Sequence, residues 1–255
     1  MRSGSGGSLV LRCAVRHKSA YAGLLCRLIP RVIMQMAELL PAAVRCRELW
    51  GSGDPATLSP AEMACTEGFA AARLSEFAAG RACARLALAD LGVVAAPLLV
   101  GPGREPLWPA GCAGSITHTE GYCAVAVCRV GAVVSLGIDA ERVVELERAE
   151  WQVLFCRGEI EWLDSLAPSR QVAMACALFS GKEAYFKCLY TLTRRSLEFE
   201  DVELRFSTRS FVVLDRHAEP RFDVVGAYGF IGSGIVATTV VATSNVERTA
   251  ITSRR

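Results

Sequence analysis

The stretch AVVSLGIDAE, residues 132–141, divides the chain into two parts and indicates the fold class. Its apolar residues are typical of a strand, and a tight turn near Gly131 connects it to the preceding strand pattern CAVAVCRV. A helical pattern precedes these two strands, and further helical patterns followed by strands come after them. This order predicts an α+β protein whose two halves pack together, with a boundary near Gly137.

The helical pattern before these strands has clear start and stop signals. Ser59 is a candidate N-cap, and Glu62, three residues later, completes a capping box. The Ala- and Leu-rich pattern then continues to Gly92, so we expect one helix between these points. The following stretch VGPGREPLWPAG is rich in proline and glycine and predicts a loop.

After Glu141 the pattern becomes helical, with a charged stretch, the segment EIEWLDSL and a long helix from about Pro168 to Tyr190. Four strand patterns complete the chain: DVELRFS, SFVVLD, VGAYGF and GIVATTVVA.

Composition excludes several classes of protein. The net charge of +2 provides no general basic field, so we expect no nucleic-acid partner. No apolar run reaches the roughly 20 residues of a membrane span, so we expect no membrane partner. The eleven cysteines include no C-x-x-C pair and no zinc-finger spacing, which favours free thiols in a reducing compartment. We therefore expect a cytoplasmic protein, and separately we expect a monomer.

The first residues differ from the rest. The segment before Glu38 carries six basic residues and no acid. This pattern is compatible with an organelle transit peptide, an upstream extension or a misassigned start, and we favour a poorly ordered tail.

Two carboxylates end the central strand pattern. Asp139 and Glu141 are two residues apart, so both leave the same face of a strand. Two close carboxylates repel unless a cation or proton lies between them, and hard oxygen ligands suit Mg²⁺. Taken alone, the pattern is more typical of a solvated strand end.

A second polar group lies on the long helix, in FSGKEAYFK, residues 179–187. Phe179, Glu183 and Lys187 follow each other at intervals of four and line one stripe. Glu183 and Lys187 could form an ordinary ion pair, or Glu183 could be a third acid at a metal while Lys187 reaches a phosphate. His118 in SITHTEG, flanked by hydroxyls, is equally compatible with a structural role and with binding phosphate or ribose oxygens.

Four segments together resemble the surfactin/enterobactin-type 4′-phosphopantetheinyl transferases. They are RLSEFAAGRACAR, REPLWPAGCAGSITHTEGY, GIDAE and FSGKEAYFK, in this order. The segments REPLWP and EFAAGR are similar to the enterobactin-synthetase branch, and the similarity covers about residues 36–241.

The resemblance implies a reaction and a fold. The family transfers the phosphopantetheine arm of coenzyme A to a serine of a carrier protein with Mg²⁺, releasing adenosine 3′,5′-bisphosphate. Its fold is a pseudo-dimer of two similar α+β halves with coenzyme A in the cleft between them. We therefore expect an acidic helical acyl or peptidyl carrier domain as partner, in siderophore or other secondary metabolism. The expected division is an extension (1–35), a coenzyme A half (36–137), a metal and catalytic half (138–243) and a tail (244–255).

The resemblance also implies residue roles. Glu183 is the candidate base for the carrier serine, directly or through water, and Lys187 would bind the pyrophosphate. This chain carries Glu105 where some relatives carry a lysine before the proline, and Phe179 where many carry tryptophan. The remaining implied roles are Mg²⁺ binding by Asp139, Glu141 and Glu183, with Asp139 also among the coenzyme A contacts, and binding of the nucleotide end of coenzyme A by Arg73, Arg81, Arg104, Thr117 and His118.

Two other functions remain open from sequence. One is a Mg²⁺-dependent phosphohydrolase acting on coenzyme A or nucleotides. The other is a binding module that docks on carrier proteins without catalysis, although three converging acids have no use in such a module.

Overall fold

The structure, a computed structural model, describes residues 34–94, 96–218, 222–232 and 234–244. The expected extension up to Ile33 and the tail after Ser244 lie outside the described residues. Within the described ranges, no helix has both the length and the apolar character needed to cross a bilayer. The nine described cysteines are all free thiols, and five of them are buried.

In the first half, one long helix packs on a three-stranded antiparallel sheet. Its elements are β1 (Arg45–Trp50), α1 (Pro60–Ala64), α2 (Ala71–Asp90), β2 (Cys112–Thr119) and β3 (Tyr122–Arg129), and the strand order is β1-β3-β2. The central strand β3 is buried on both faces because its residues alternate between two cores. Val125 and Val127 face α2, whereas Ala124 and Ala126 face the other half.

The second half repeats this arrangement with a longer helix and a five-stranded antiparallel sheet. Its elements are β4 (Val133–Arg142), α3 (Arg148–Leu154), α4 (Arg157–Ser165), α5 (Pro168–Thr193), β5 (Val202–Phe206), β6 (Ser210–Asp215), β7 (Phe222–Ile231) and β8 (Ile235–Ser244), and the strand order is β4-β8-β7-β6-β5. Helix α5 packs closely on β4. A Cβ at Gly137 would lie 1.9 Å from the Ala184 carbonyl oxygen, so only glycine permits this approach.

The two halves meet along β2 and β4, which belong to different sheets but lie side by side. The Ser115 hydroxyl accepts a hydrogen bond from the Ile138 N–H at 3.1 Å, and the Thr117 hydroxyl accepts one from the Ala140 N–H at 3.0 Å. These two hydroxyls form what we call the hydroxyl seam. Strand β4 also packs against β3, and its Leu136, Ile138 and Ala140 lie in the same hydrophobic core as residues of β3.

The expected fold class is confirmed: the protein is α+β, with two halves that each pack a long helix on an antiparallel sheet. The four late strands, the central strands and the long helix lie where the patterns predict them. Gly137, the expected boundary, lies inside β4, which pairs with β8.

Two local predictions were wrong or incomplete. The expected single helix is two helices, because the chain turns after α1 and Gly68 adopts a φ of 77°. The capping box of Ser59 and Glu62 is confirmed at the start of α1. Strands β1 and β2 were not predicted, since RCRELW is largely polar and CAGSITHT lacks an apolar alternation.

Candidate active site

Two cavities open between the halves and share part of their walls. The smaller one, of about 440 Å³, contains all three predicted acids, Asp139, Glu141 and Glu183, and we call it the acid pocket. The larger one, of about 1350 Å³, is lined by α2, the loop before β2 and the segment after α5, and we call it the main cleft. Both are lined by His118, Phe179, Glu183 and Lys187.

Asp139 is the most enclosed of the three acids, with a side chain 5% exposed. Its Oδ1 atom accepts hydrogen bonds from Lys187 Nζ at 2.6 Å and from the Thr117 hydroxyl at 3.2 Å. Its Oδ2 atom is buried and has no hydrogen-bond partner among the described residues. A buried carboxylate oxygen without a partner is unfavourable, so this atom is suited to a bound cation.

The other two acids are held where their charged forms are disfavoured. Burial, followed by repulsion from Asp139, raises the pKa of Glu141 to about 8. Burial raises the pKa of Glu183 above its ordinary value, with a further contribution from Asp139 that Lys187 opposes. A cation among these carboxylates would stabilise their charged forms.

The donor set fits Mg²⁺ in chemistry, since it consists of carboxylate oxygens beside a cavity. Within the described part of the chain, no three Asp, Glu, His or Cys side chains are arranged as a ready metal site. Asp139 instead contacts the Lys187 ammonium. Asp139, Glu141 and Glu183 are thus brought to one pocket, and a fourth group, Lys187, interacts with them there.

Lys187 connects α5 to β4, the strand that carries Asp139 and Glu141. Its ammonium also donates to the Ile138 carbonyl at 3.2 Å. Burial lowers the pKa of Lys187, but the carboxylates of Asp139 and Glu183 outweigh it, so the pKa is raised. The ion-pair partner of Lys187 is Asp139, at 2.6 Å, rather than Glu183 one helical turn away.

His118 lies at the junction of the two cavities with charged neighbours from α2. Its Nε2 atom contacts the Arg73 guanidinium, and its Nδ1 atom lies 3.5 Å from the Glu76 carboxylate. Burial lowers the pKa of His118, and Arg73 lowers it further against the effect of Glu76. A neutral ring with its proton on Nδ1 satisfies both neighbours, because Nε2 then accepts from Arg73.

Two further predicted cations line the main cleft. Arg81 is 5% exposed, donates from Nε to the Leu98 carbonyl at 2.8 Å, and stacks 3.8 Å from the centre of the Phe77 ring. Burial lowers its pKa to about 10. Arg104 is exposed on the loop before β2 and adopts a φ of 67°. The neighbouring Glu105 contacts Arg194 at the end of α5, so this loop connects the two halves.

Thr117 faces the acid pocket, but its hydroxyl is engaged inside the protein. It is 2% exposed, accepts from the Ala140 N–H and donates to Asp139. Sequence reasoning assigned no role to Lys182, whose side chain is fully buried against Glu159. The sequence signal for it was its place in FSGKEAYFK, directly before Glu183, one of the segments that carry the resemblance to the family.

Comparison with known proteins gives the following similarities. Residues 61–128 match the family described as the 4′-phosphopantetheinyl transferase N-terminal domain, and residues 135–237 match the 4′-phosphopantetheinyl transferase superfamily. The 4′-phosphopantetheinyl transferase Svp of Streptomyces mobaraensis is 42% identical over 153 residues, which cover 59% of this chain and 62% of that protein. The 4′-phosphopantetheinyl transferase PptT of Mycobacterium tuberculosis is 37% identical over 179 residues, covering 69% of this chain and 78% of that protein.

The chain is also similar, at lower identity, to enterobactin synthase component D of Salmonella typhi, with 33% identity over 45% of this chain and 47% of that protein. Among solved structures, a holo-(acyl-carrier-protein) synthase from Bacillus anthracis in complex with CoA (3′,5′-ADP) overlays with a TM-score of 0.38 and 21% identity, covering 45% of this chain and 99% of that chain. The match to Svp spans less than two thirds of that protein's length.

Proposed function

Because this chain belongs to the 4′-phosphopantetheinyl transferase family, we propose that it transfers the 4′-phosphopantetheine arm of coenzyme A to a serine of an apo carrier protein. The observation that carries the proposal is that three acids and Lys187 line the acid pocket, and that Glu183 and Lys187 also line the main cleft. The main cleft, of about 1350 Å³, has room for a ligand as large as coenzyme A.

In the proposed reaction, the carrier serine oxygen attacks the β-phosphorus of coenzyme A. A new O–P bond forms, and the bond from that phosphorus to the bridging oxygen breaks. The electron pair leaves with adenosine 3′,5′-bisphosphate. The serine proton passes to the Glu183 carboxylate, directly or through one water. Glu183 lies at the junction of the two cavities, where a serine and a pyrophosphate can meet.

Lys187 is the group proposed to stabilise charge on the leaving phosphate. Its side chain is 32% exposed, so the ammonium can reach a ligand in the main cleft while the helix stays in place. An ammonium aimed at developing negative charge in a water-poor cleft stabilises the transition state more than the ground state.

Asp139, Glu141 and Glu183 are the proposed Mg²⁺ ligands. The support is their oxygen chemistry, the Oδ2 of Asp139, which has no hydrogen-bond partner among the residues that the structure describes, and the disfavoured charges of the other two acids. When bound, Mg²⁺ would neutralise charge on the pyrophosphate oxygens. Asp139 would thereby also contribute to coenzyme A binding.

The nucleotide end of coenzyme A is proposed to bind in the main cleft beside α2. Arg73, Arg81 and His118 line this wall, and guanidinium groups bind phosphate oxygens well. For His118, the proposal is that a phosphate oxygen replaces Glu76 as the acceptor of its Nδ1–H. Arg104 lies on the same rim. Thr117 is proposed to act mainly by orienting Asp139, since its hydroxyl is already engaged.

The proposed partner is an acidic helical acyl or peptidyl carrier domain, modified in the cytoplasm by a monomeric enzyme. Siderophore and other secondary-metabolite pathways both use such carriers, and the similarity to enterobactin synthase component D supports the first of these.

One experiment tests the proposed function. Purified protein, Mg²⁺ and coenzyme A are mixed with a panel of apo carriers, and the intact mass of each carrier is measured. We expect the mass of one phosphopantetheine arm on at least one carrier and none when its serine is replaced by alanine. Unmodified carriers together with steady breakdown of coenzyme A would instead support a phosphohydrolase. Carrier binding without product would support a docking module.

A further inference from the structure

A fully buried ion pair involves Lys182, the residue directly before Glu183 on α5, and has no part in the proposed chemistry. Lys182 Nζ lies 2.7 Å from Glu159 Oε2, and the two side chains are 0% and 1% exposed. Such a pair is favourable only when the remaining hydrogen-bonding groups are satisfied as well. Its other contacts therefore reveal what it holds together.

The Lys182 ammonium has three donors, and all three are used. Besides Glu159, it donates to the Leu154 carbonyl at 3.0 Å and to the Phe199 carbonyl at 2.7 Å. Leu154 ends α3, and Phe199 begins a short 3₁₀ helix after α5. Lys182 thus binds two backbone segments that are 45 residues apart in sequence.

Glu159 extends the same network to the start of α4 and to β5. Its carboxylate accepts from the Cys156 N–H at 2.9 Å and from the Leu204 N–H at 2.8 Å. The first bond caps α4, and the second reaches β5. Glu159 therefore holds α4 and β5, the elements that follow Leu154 and Phe199 in sequence.

The two segments held by Lys182 form one wall of the substrate cavities. The Leu154 side chain lines both cavities, and Phe199 lines the main cleft. The Phe199 ring packs against Phe186 and Phe179, with centroid distances of 5.1 and 5.8 Å. Both of these aromatic residues also line the main cleft. We call Leu154 and Phe199 the anchored wall.

Helix α5 itself is held independently on its opposite side. The Ser180 and Thr238 hydroxyls are hydrogen-bonded at 2.8 Å, and the Ser135 hydroxyl donates to the Cys188 carbonyl at 2.8 Å. Gly137 adds the close backbone contact described above. Loss of Lys182 would therefore release the anchored wall while leaving Glu183 and Lys187 on a fixed helix.

We propose that Lys182 is a positioning residue that holds the anchored wall in place, so that substrates bind well, without taking part in the transfer step. The expected effect of Lys182 on transfer kinetics rests on the proposed function. The expected effect of Lys182 on the backbone at Leu154 and Phe199 does not, so the two effects can be tested separately.

The test compares two variants, Glu159→Gln and the double variant Lys182→Met with Glu159→Gln. Both remove the buried carboxylate charge, but only the double variant also removes the donors to Leu154 and Phe199. The control is Arg157→Met with Glu161→Gln, which removes an exposed ion pair from α4, where the side chains are 92% and 63% exposed. Lys182→Gln serves as a second variant, because its shorter amide cannot replace the ammonium at both carbonyls.

The first measurement is hydrogen exchange under native conditions. We expect amides in residues 152–156 and 197–201 to exchange at least about tenfold faster in the double variant and in Lys182→Gln than in Glu159→Gln. Amides of residues 180–190 should change by less than about threefold. Equal exchange of the wall segments in all variants would overturn the proposal, whether or not the protein modifies a carrier.

The second measurement is steady-state transfer to a carrier that the wild-type protein modifies. We expect the double variant to raise KM for coenzyme A or for the carrier about tenfold, with kcat within about threefold of Glu159→Gln. A fall in kcat with both KM values unchanged would assign Lys182 to the transfer step and overturn the proposal. A wild-type protein that modifies no carrier would reject the proposed function, while the exchange result would still decide whether Lys182 anchors the wall.

Discussion

The Lys187 ammonium lies 2.6 Å from Oδ1 of Asp139, and this contact connects the long helix of the second half to the strand that ends in the acids. The Asp139 side chain is almost fully buried, and its Oδ1 atom accepts hydrogen bonds from this ammonium and from the Thr117 hydroxyl. Lys187 is partly exposed and can also face a ligand. The same residue therefore both stabilises the free site and is available to a pyrophosphate.

Replacing Lys187 tests this double role. We expect Lys187→Met to lower kcat/KM by about 10²-fold or more, because a positioned charge is lost from the transition state. Lys187→Arg should recover only part of the activity, because a planar guanidinium does not fit the space of an ammonium beside Asp139. Initial rates of carrier modification measure both effects. Full activity of Lys187→Met would remove this residue from the reaction.

Glu183 should be required for transfer but not for folding. We expect Glu183→Gln to lower kcat by about 10²-fold or more. The melting temperature should not fall, since burial already disfavours the charge that the change removes. Carrier mass spectrometry and thermal unfolding measure the two effects. The matched control is Glu161→Gln at an exposed position of α4, which should leave both unchanged. Normal transfer by Glu183→Gln would exclude Glu183 as the base.

Variants of Thr117 distinguish a role in orienting Asp139 from direct contact with the nucleotide. We expect Thr117→Val to lower activity about 10- to 100-fold, because Asp139, a proposed metal ligand, loses a hydrogen bond that orients it. KM for coenzyme A should stay nearly constant. Thr117→Ser keeps the hydroxyl and should retain most activity. A rise in KM for coenzyme A with unchanged kcat would instead favour direct contact with the nucleotide.

His118 can be tested with a matched pair of substrates. Coenzyme A and its 3′-dephospho form differ by one phosphate. If His118 binds that phosphate, His118→Ala should raise KM for coenzyme A about tenfold and leave KM for the dephospho form almost unchanged. Equal effects on both substrates would place the role of His118 elsewhere in the cleft.

Gly137 tests the packing of the helix on the acid-bearing strand. We expect Gly137→Ala to lower the free energy of unfolding by about 3 kcal/mol, because the new methyl group would overlap a helix carbonyl. Gly131→Ala is the control: its Cβ would meet nothing within 4 Å, so the change should stay within about 0.5 kcal/mol. Denaturant unfolding measures both, and equal stability of the two variants would contradict the close approach.

Much of the fold could be predicted because its signals are local. The apolar runs of β3, β4 and the four late strands, and the long helix, follow from residue spacing alone. Strand β2 could not be recognised this way. Its Ser115 and Thr117 are buried because their hydroxyls bind the neighbouring β4, a strand of the other half. From the sequence alone, a buried polar residue whose partner is far along the chain cannot be distinguished from a loop residue.

The sequence by itself determined which groups are available: two acids on one face of a strand, and an acid and an amine on one stripe of a helix, since both placements follow from the backbone period. Only the tertiary structure decided how they are paired. Lys187 contacts Asp139, 48 residues away, rather than Glu183, and Lys182 turns inward to Glu159 and two carbonyls. The physical reason is that a buried charge takes the partner which packing brings within hydrogen-bond distance, and packing joins elements that are far apart along the chain.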